Sequence, residues 1–110
     1  MTRYQRAQHV WSLLIVSAMD RKSFTYSQVG KILGVGGGNM VSQYLKPVMN
    51  YCEKNGYPPL TVMVVNKETG LPGEGLTTVD NVNQDREAVY CFDWFSVEWP
   101  TESDFENTDK

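Results

Sequence analysis

Ten residues, Thr25 to Gly34, carry start and stop signals for one short helix, and they constrain how the chain on either side is arranged. Thr25 and Gln28 stand at capping-box spacing, where a hydroxyl and an amide side chain each satisfy a backbone N–H at the helix start. Val29, Ile32 and Leu33 supply an apolar face. Gly34 ends the helix, because glycine takes the left-handed conformation at little cost. The spacing predicts a helix from Tyr26 to Leu33.

A longer helix is predicted upstream. Val10, Trp11, Leu14, Ile15, Ala18 and Met19 recur at i, i+3/i+4 between Tyr4 and Met19, with Thr2 as N-cap. Downstream, Gly36-Gly37-Gly38 reads as a loop, after which Met40, Val41, Tyr44, Leu45, Val48, Met49 and Cys52 return to helical spacing up to the Asn55-Gly56 stop. Pro47 lies inside this third helix and predicts either a kink or a late start near Lys46.

Beyond Pro58-Pro59 the period changes. Leu60 to Val65 is apolar and β-branched and reads as a buried strand, and Asn66 to Gly75 has the composition of an exposed loop or wing. A last helix is expected from Asp80, as cap, through Arg86, Val89 and Tyr90 towards Phe92. Pro100 to Lys110 is acidic and almost without apolar residues, so the expected organisation is one domain over 1–99 and a flexible acidic tail over 100–110.

With 110 residues, 41% of them hydrophobic, the chain can bury one core. It has no run approaching the roughly 18 apolar residues of a membrane span and no apolar leader after Met1, which predicts a soluble, cytoplasmic protein. Cys52 and Cys91 make no disulfide framework, so both are expected to be reduced and mostly buried.

Charge divides the chain in two. Residues 1–67 sum to +6 and residues 68–110 to −9, within an overall −3. Such asymmetry concerns partners more than fold. Catalytic signatures are weak by comparison. His9 has no nucleophile placed beside it by any local motif, the cysteines and His9 lack zinc-ligand spacing, and Asp104 with Glu106 sits in a polar tail where nothing raises a pKa. The glycine run after Gly34 follows a helix and lacks the Lys-Ser/Thr ending of a phosphate loop. No cofactor or metal is expected, and the protein reads as non-enzymatic.

The order of elements is that of an α+β, winged helix-turn-helix-like domain, whose third helix can enter a nucleic-acid groove. Its exposed N-terminal half would carry Asn39, Ser42, Gln43 and Lys46. Asn and Gln can read a base edge and Lys can meet a phosphate. Arg21, Lys22 and Lys31 are the expected phosphate neighbours.

Thr25-Tyr26-Ser27-Gln28-Val29-Gly30-Lys31-Ile32-Leu33-Gly34, Asn39-Met40-Val41-Ser42-Gln43-Tyr44-Leu45, Pro58 to Val65 and Gly70 to Gly75 together resemble the winged-helix domain of O6-alkylguanine alkyltransferases and alkyltransferase-like proteins. The resemblance covers about half of the chain. It implies a backbone contact for Tyr26, which matches the family's tyrosine. Leu60 stands where the alkyl-accepting cysteine belongs, with Thr61 and Val62 in place of the histidine and arginine, so the resemblance implies the scaffold without alkyl transfer. Asn39 replaces the family's arginine on the recognition helix, and Ser42 its glycine.

A competing expectation places function in the acidic half, Asp85 to Asp109. There the chain would be a protein-interaction module or nucleic-acid mimic that occupies a basic site on a partner, as small phage and mobile-element proteins do when they inhibit host nucleases. Its contacts would be Asp93, Trp94, Glu98, Trp99 and Asp104. For Phe92 to Trp99 two readings stand side by side, a segment closing the core and an exposed aromatic-acidic patch. The Gly70 to Gly75 loop is either functional or a plain turn.

Overall fold

Side-chain caps set the first two helices. In the computed structural model, which describes residues 2–35, 40–72 and 81–108, the Thr2 hydroxyl accepts the Gln5 N–H and the Gln5 side chain accepts the Thr2 N–H, opening α1 (Arg3–Met19). The Thr25–Gln28 box does the same for α2 (Tyr26–Leu33), and Gly34 closes it at φ 71°. The third helix, α3, runs Ser42–Asn55 and stops at Gly56 with φ 70°. Between α1 and α2 lies β1 (Phe24–Thr25), which pairs in parallel with β2 (Val64–Val65) in the register Phe24 to Val64 and Thr25 to Val65. Two further helices, α4 (Val82–Cys91) and α5 (Glu102–Thr108), complete a mostly helical α+β domain.

The core forms where α1 crosses α3. Ala7, Val10, Trp11, Leu14, Ile15 and Ala18 of α1 meet Tyr44, Leu45, Val48 and Cys52 of α3 over Leu60 to Val64. Trp11 is its centre, with edge-on contacts to Tyr51 at 5.6 Å, Trp94 at 5.5 Å and Phe105 at 6.4 Å. Each such pair contributes about 0.5–1.5 kcal/mol beyond the area it buries.

Several expectations are corrected. Leu60–Met63 is a 3-10 helix, and only Val64–Val65 is strand. The Val62 N–H bonds back to the Pro59 carbonyl, tightening the chain directly after two prolines. Met19 and Ile32 face outward, 66% and 57% exposed. The buried side of α2 runs through Val29 and Gly30, with Tyr26 and Leu33 packed beside them, and Ile32 is turned away from that face. Met40 precedes α3 and is exposed, and Cys91 is exposed where Cys52 is buried, both thiols being free. Helix α3 starts at Ser42 and not at Lys46. Asp80 lies outside the described residues, and Asn81 caps α4 by accepting the Gln84 N–H.

The largest correction concerns the C-terminus. Glu102–Thr108 is a helix docked on α1 and α3, with Phe105 fully buried. Thr101 and Asp104 open it with reciprocal side-chain-to-backbone bonds of 3.2 and 2.8 Å, and Glu102 accepts from the Thr2 hydroxyl at 2.7 Å. The expected flexible tail is therefore a structural element as far as Thr108.

Candidate nucleic-acid interface

Helix α3 sorts its residues by face. Tyr44, Leu45, Pro47, Val48 and Cys52 are buried, while Ser42, Gln43 and Lys46 are exposed on one side. Lys54, also exposed, extends that side at helical spacing, and no acid occupies the first turn. Asn39 lies outside the described residues. Val41, at the N-cap, makes no side-chain cap bond.

Pro47 has a consequence at this face. Without an N–H, it leaves the Gln43 carbonyl, four residues earlier, with no intrahelical donor. Arg3 of α1 fills that position, its Nε donating to the Gln43 oxygen at 2.9 Å. Arg6, one turn along α1, donates to the Tyr44 hydroxyl at 3.0 Å and lies over the Tyr44 ring. Two arginines thus flank the first turns of α3. Arg3 and Arg6 stand at i and i+3 in the sequence, but only the packing of α1 on α3 brings them there.

The remaining basic candidates are dispersed. Tyr26 is half-buried at the start of α2 and lines a depression of about 280 Å³ with Thr25, Ser27, Asn66, Lys67 and Glu68. Lys31 is exposed on the same helix, and Lys22 is exposed in the turn after α1, where its carbonyl accepts from the Ser17 hydroxyl. Arg21 is already engaged. It takes a left-handed φ of 53° at the end of α1, pairs with Glu87 at 3.3 Å and covers the Tyr90 ring at 4.9 Å. Its side chain stays more than half exposed while it reaches α4.

The acidic candidates separate as well. Trp94 is a core residue, 2% exposed, with its indole N–H donating to the Val89 carbonyl at 3.0 Å, so it offers no surface to a partner. Asp104 is occupied as a helix cap, and Asp93 accepts the Phe95 N–H at 3.1 Å. Glu98 and Trp99 are exposed. Phe95 is 63% exposed and stacks obliquely on Trp99 at 5.6 Å. Within Phe92 to Trp99, Trp94 closes the core, while Phe95 and Trp99 lie at the surface among acids.

For covalent chemistry the geometry offers little. Burial pushes the Cys52 thiol up to about 12, and a backbone hydrogen bond from Leu60 only partly offsets it, so the thiolate a nucleophile needs is disfavoured. His9 is exposed on α1. Among the described residues no group of three or more His, Cys, Asp or Glu side chains is placed to hold a metal ion, and no helix is long and apolar enough to cross a membrane. Comparison with protein-family models, with curated proteins and with solved structures finds no match to the chain.

Proposed function

We propose that the chain is a cytoplasmic, non-enzymatic nucleic-acid-binding protein of winged-helix type, an alkyltransferase-like scaffold without alkyl transfer. The order α1, β1, α2, α3, β2 and a glycine-bearing loop is compatible with that fold. The observation that carries the reading is the exposed face of α3, where Ser42, Gln43 and Lys46 project from an apolar backing and Arg3 is held against the Gln43 carbonyl. Gln43 has the amide that reads adenine bidentately, and Lys46 has the point charge that meets a phosphate. Tyr26 serves as a backbone contact, and the acids of 85–106 limit non-specific association by repelling the duplex.

A second reading rests on the Phe95–Trp99 patch. Two exposed aromatic rings, with Asp93 and Glu98 close to them in sequence, suit a basic protein surface, in the manner of a nucleic-acid mimic.

Fluorescence anisotropy of labelled single- and double-stranded DNA separates the two readings. The proposal expects binding that weakens by orders of magnitude between about 50 and 200 mM salt, and expects Lys46→Glu to abolish it. No binding by the wild type at the lowest salt would discard the proposal in favour of a protein partner.

A further inference from the structure

Parallel pairing of β1 with β2 brings two distant lysines to one place. Thr25 is in register with Val65, so the chain leaving β2 as Asn66-Lys67 emerges beside the first turn of α2. One turn on, Lys31 lies on the same side of α2 as Ser27. Thr25, Ser27, Gln28, Lys31 and Lys67 together line an open depression of about 300 Å³.

Three features give this depression a chemical character. Lys31 and Lys67 approach it from separate elements, both are exposed, and neither forms an ion pair among the described residues. Ser27 contributes a hydroxyl to the same lining. An acid nearby, Glu68, lines the neighbouring depression, which shares Thr25, Ser27 and Lys67 with this one. The helix start plays no part as a site, since the Thr25 hydroxyl already accepts the Gln28 N–H at 3.2 Å.

We infer that Lys31 and Lys67, with Ser27 lining the same hollow, form a grip for a backbone phosphate of the nucleic acid, separate from the α3 face. The inference rests on the nucleic-acid reading and deepens it, because it adds Lys67 and assigns the charges of α2 and the β2 loop to one phosphate contact. Two lysines lining one open hollow suit a phosphodiester that passes through it. A hollow this open would not enclose a small ligand. In helix-turn-helix proteins the helix before the reading helix crosses the backbone, where such contacts position the duplex without reading its sequence.

The test is the salt dependence of duplex DNA binding, by anisotropy, for the wild type, Lys31→Gln/Lys67→Gln and Lys31→Arg/Lys67→Arg, with melting temperatures for all three. Each phosphate contact contributes about 0.9 to the log–log salt slope on B-form DNA. The Gln variant is expected to lower the slope by about 0.9 with an unchanged melting temperature, and the Arg variant to keep the wild-type slope. A wild type that binds and a Gln variant with the same slope would overturn the inference and leave the α3 reading standing. A wild type that does not bind at about 50 mM salt, low enough to favour phosphate contacts, would overturn both.

Discussion

The first turns of α3 and the segment 92–108 are both polar in sequence, yet their large side chains go different ways. From Ser42 to Lys46 the polar groups stay outside and Tyr44 and Leu45 turn inward, as helical period dictates. The later segment has more acids but sinks Trp94 and Phe105 into the core, while Phe95 and Trp99 remain at the surface. One fully buried aromatic outweighs its solvated neighbours. Burying it stabilises by about 1.5–3 kcal/mol, whereas acids on the outer face of the same helix stay hydrated. Mean polarity therefore predicts the fate of a segment less well than where its single largest apolar residue can reach.

The largest effect that could break this comparison is a core truncation set against a surface charge reversal. Phe105→Ala is expected to lower the unfolding free energy in urea by about 3–5 kcal/mol, and removal of residues 100–110 by at least as much. Lys46→Glu should stay within about 0.5 kcal/mol. If Phe105→Ala behaved like Lys46→Glu, the acidic segment would be a tail after all.

Alkaline pH probes the seam between the two regions. Cys52 on α3 is held neutral by burial, with its titration raised from an ordinary 9.0 to about 12. Tyr51 beside it is raised by burial and then by Tyr57, Asp104 and Glu98. A folded-state value above the unfolded one stabilises fully below the unfolded value and is lost as pH rises towards the folded one. Stability should hold up to about pH 9 and then fall by up to about 1.4 kcal/mol per pH unit as the buried Cys52 thiol titrates, and Cys52→Ala should flatten that slope. A flat profile from pH 9 to 12 in the wild type would contradict the burial of Cys52.

Smaller changes sharpen the picture within the C-terminal segment. Thr101→Ala removes the hydroxyl that caps α5 and should cost about 1 kcal/mol in thermal or urea denaturation. Phe95→Ser exposes nothing new and should change stability by less than about 0.5 kcal/mol. A loss as large as that of Phe105→Ala would mean that Phe95 is covered in solution.

What was legible in the sequence was local. The Thr2 and Thr25 boxes, the glycine stops and the α3 periodicity follow from side chains acting within one helical turn. Thr101-Glu102-Ser103-Asp104 carries the same capping pattern, but the surrounding acids masked it. Leu60 to Val65 is buried along its whole length, so it has no alternation by which strand and 3-10 helix could be told apart. At the candidate site, Ser42, Gln43 and Lys46 could be read from spacing alone. Arg3 and Lys67 could not, because one depends on the carbonyl that Pro47 releases and the other on pairing between strands some forty residues apart. The contacts of Arg21 were illegible for a related reason, since Glu87 and Tyr90 reach it from the far half of the chain.

The most direct test of the account is to map backbone amide shifts by NMR while a short DNA duplex is titrated into the labelled protein. The account predicts perturbations concentrated at Ser42, Gln43 and Lys46, with a second group at Ser27, Lys31 and Lys67, and none at Phe95 or Trp99. Perturbations confined to 93–99, or a spectrum that DNA leaves unchanged at low salt, would contradict it.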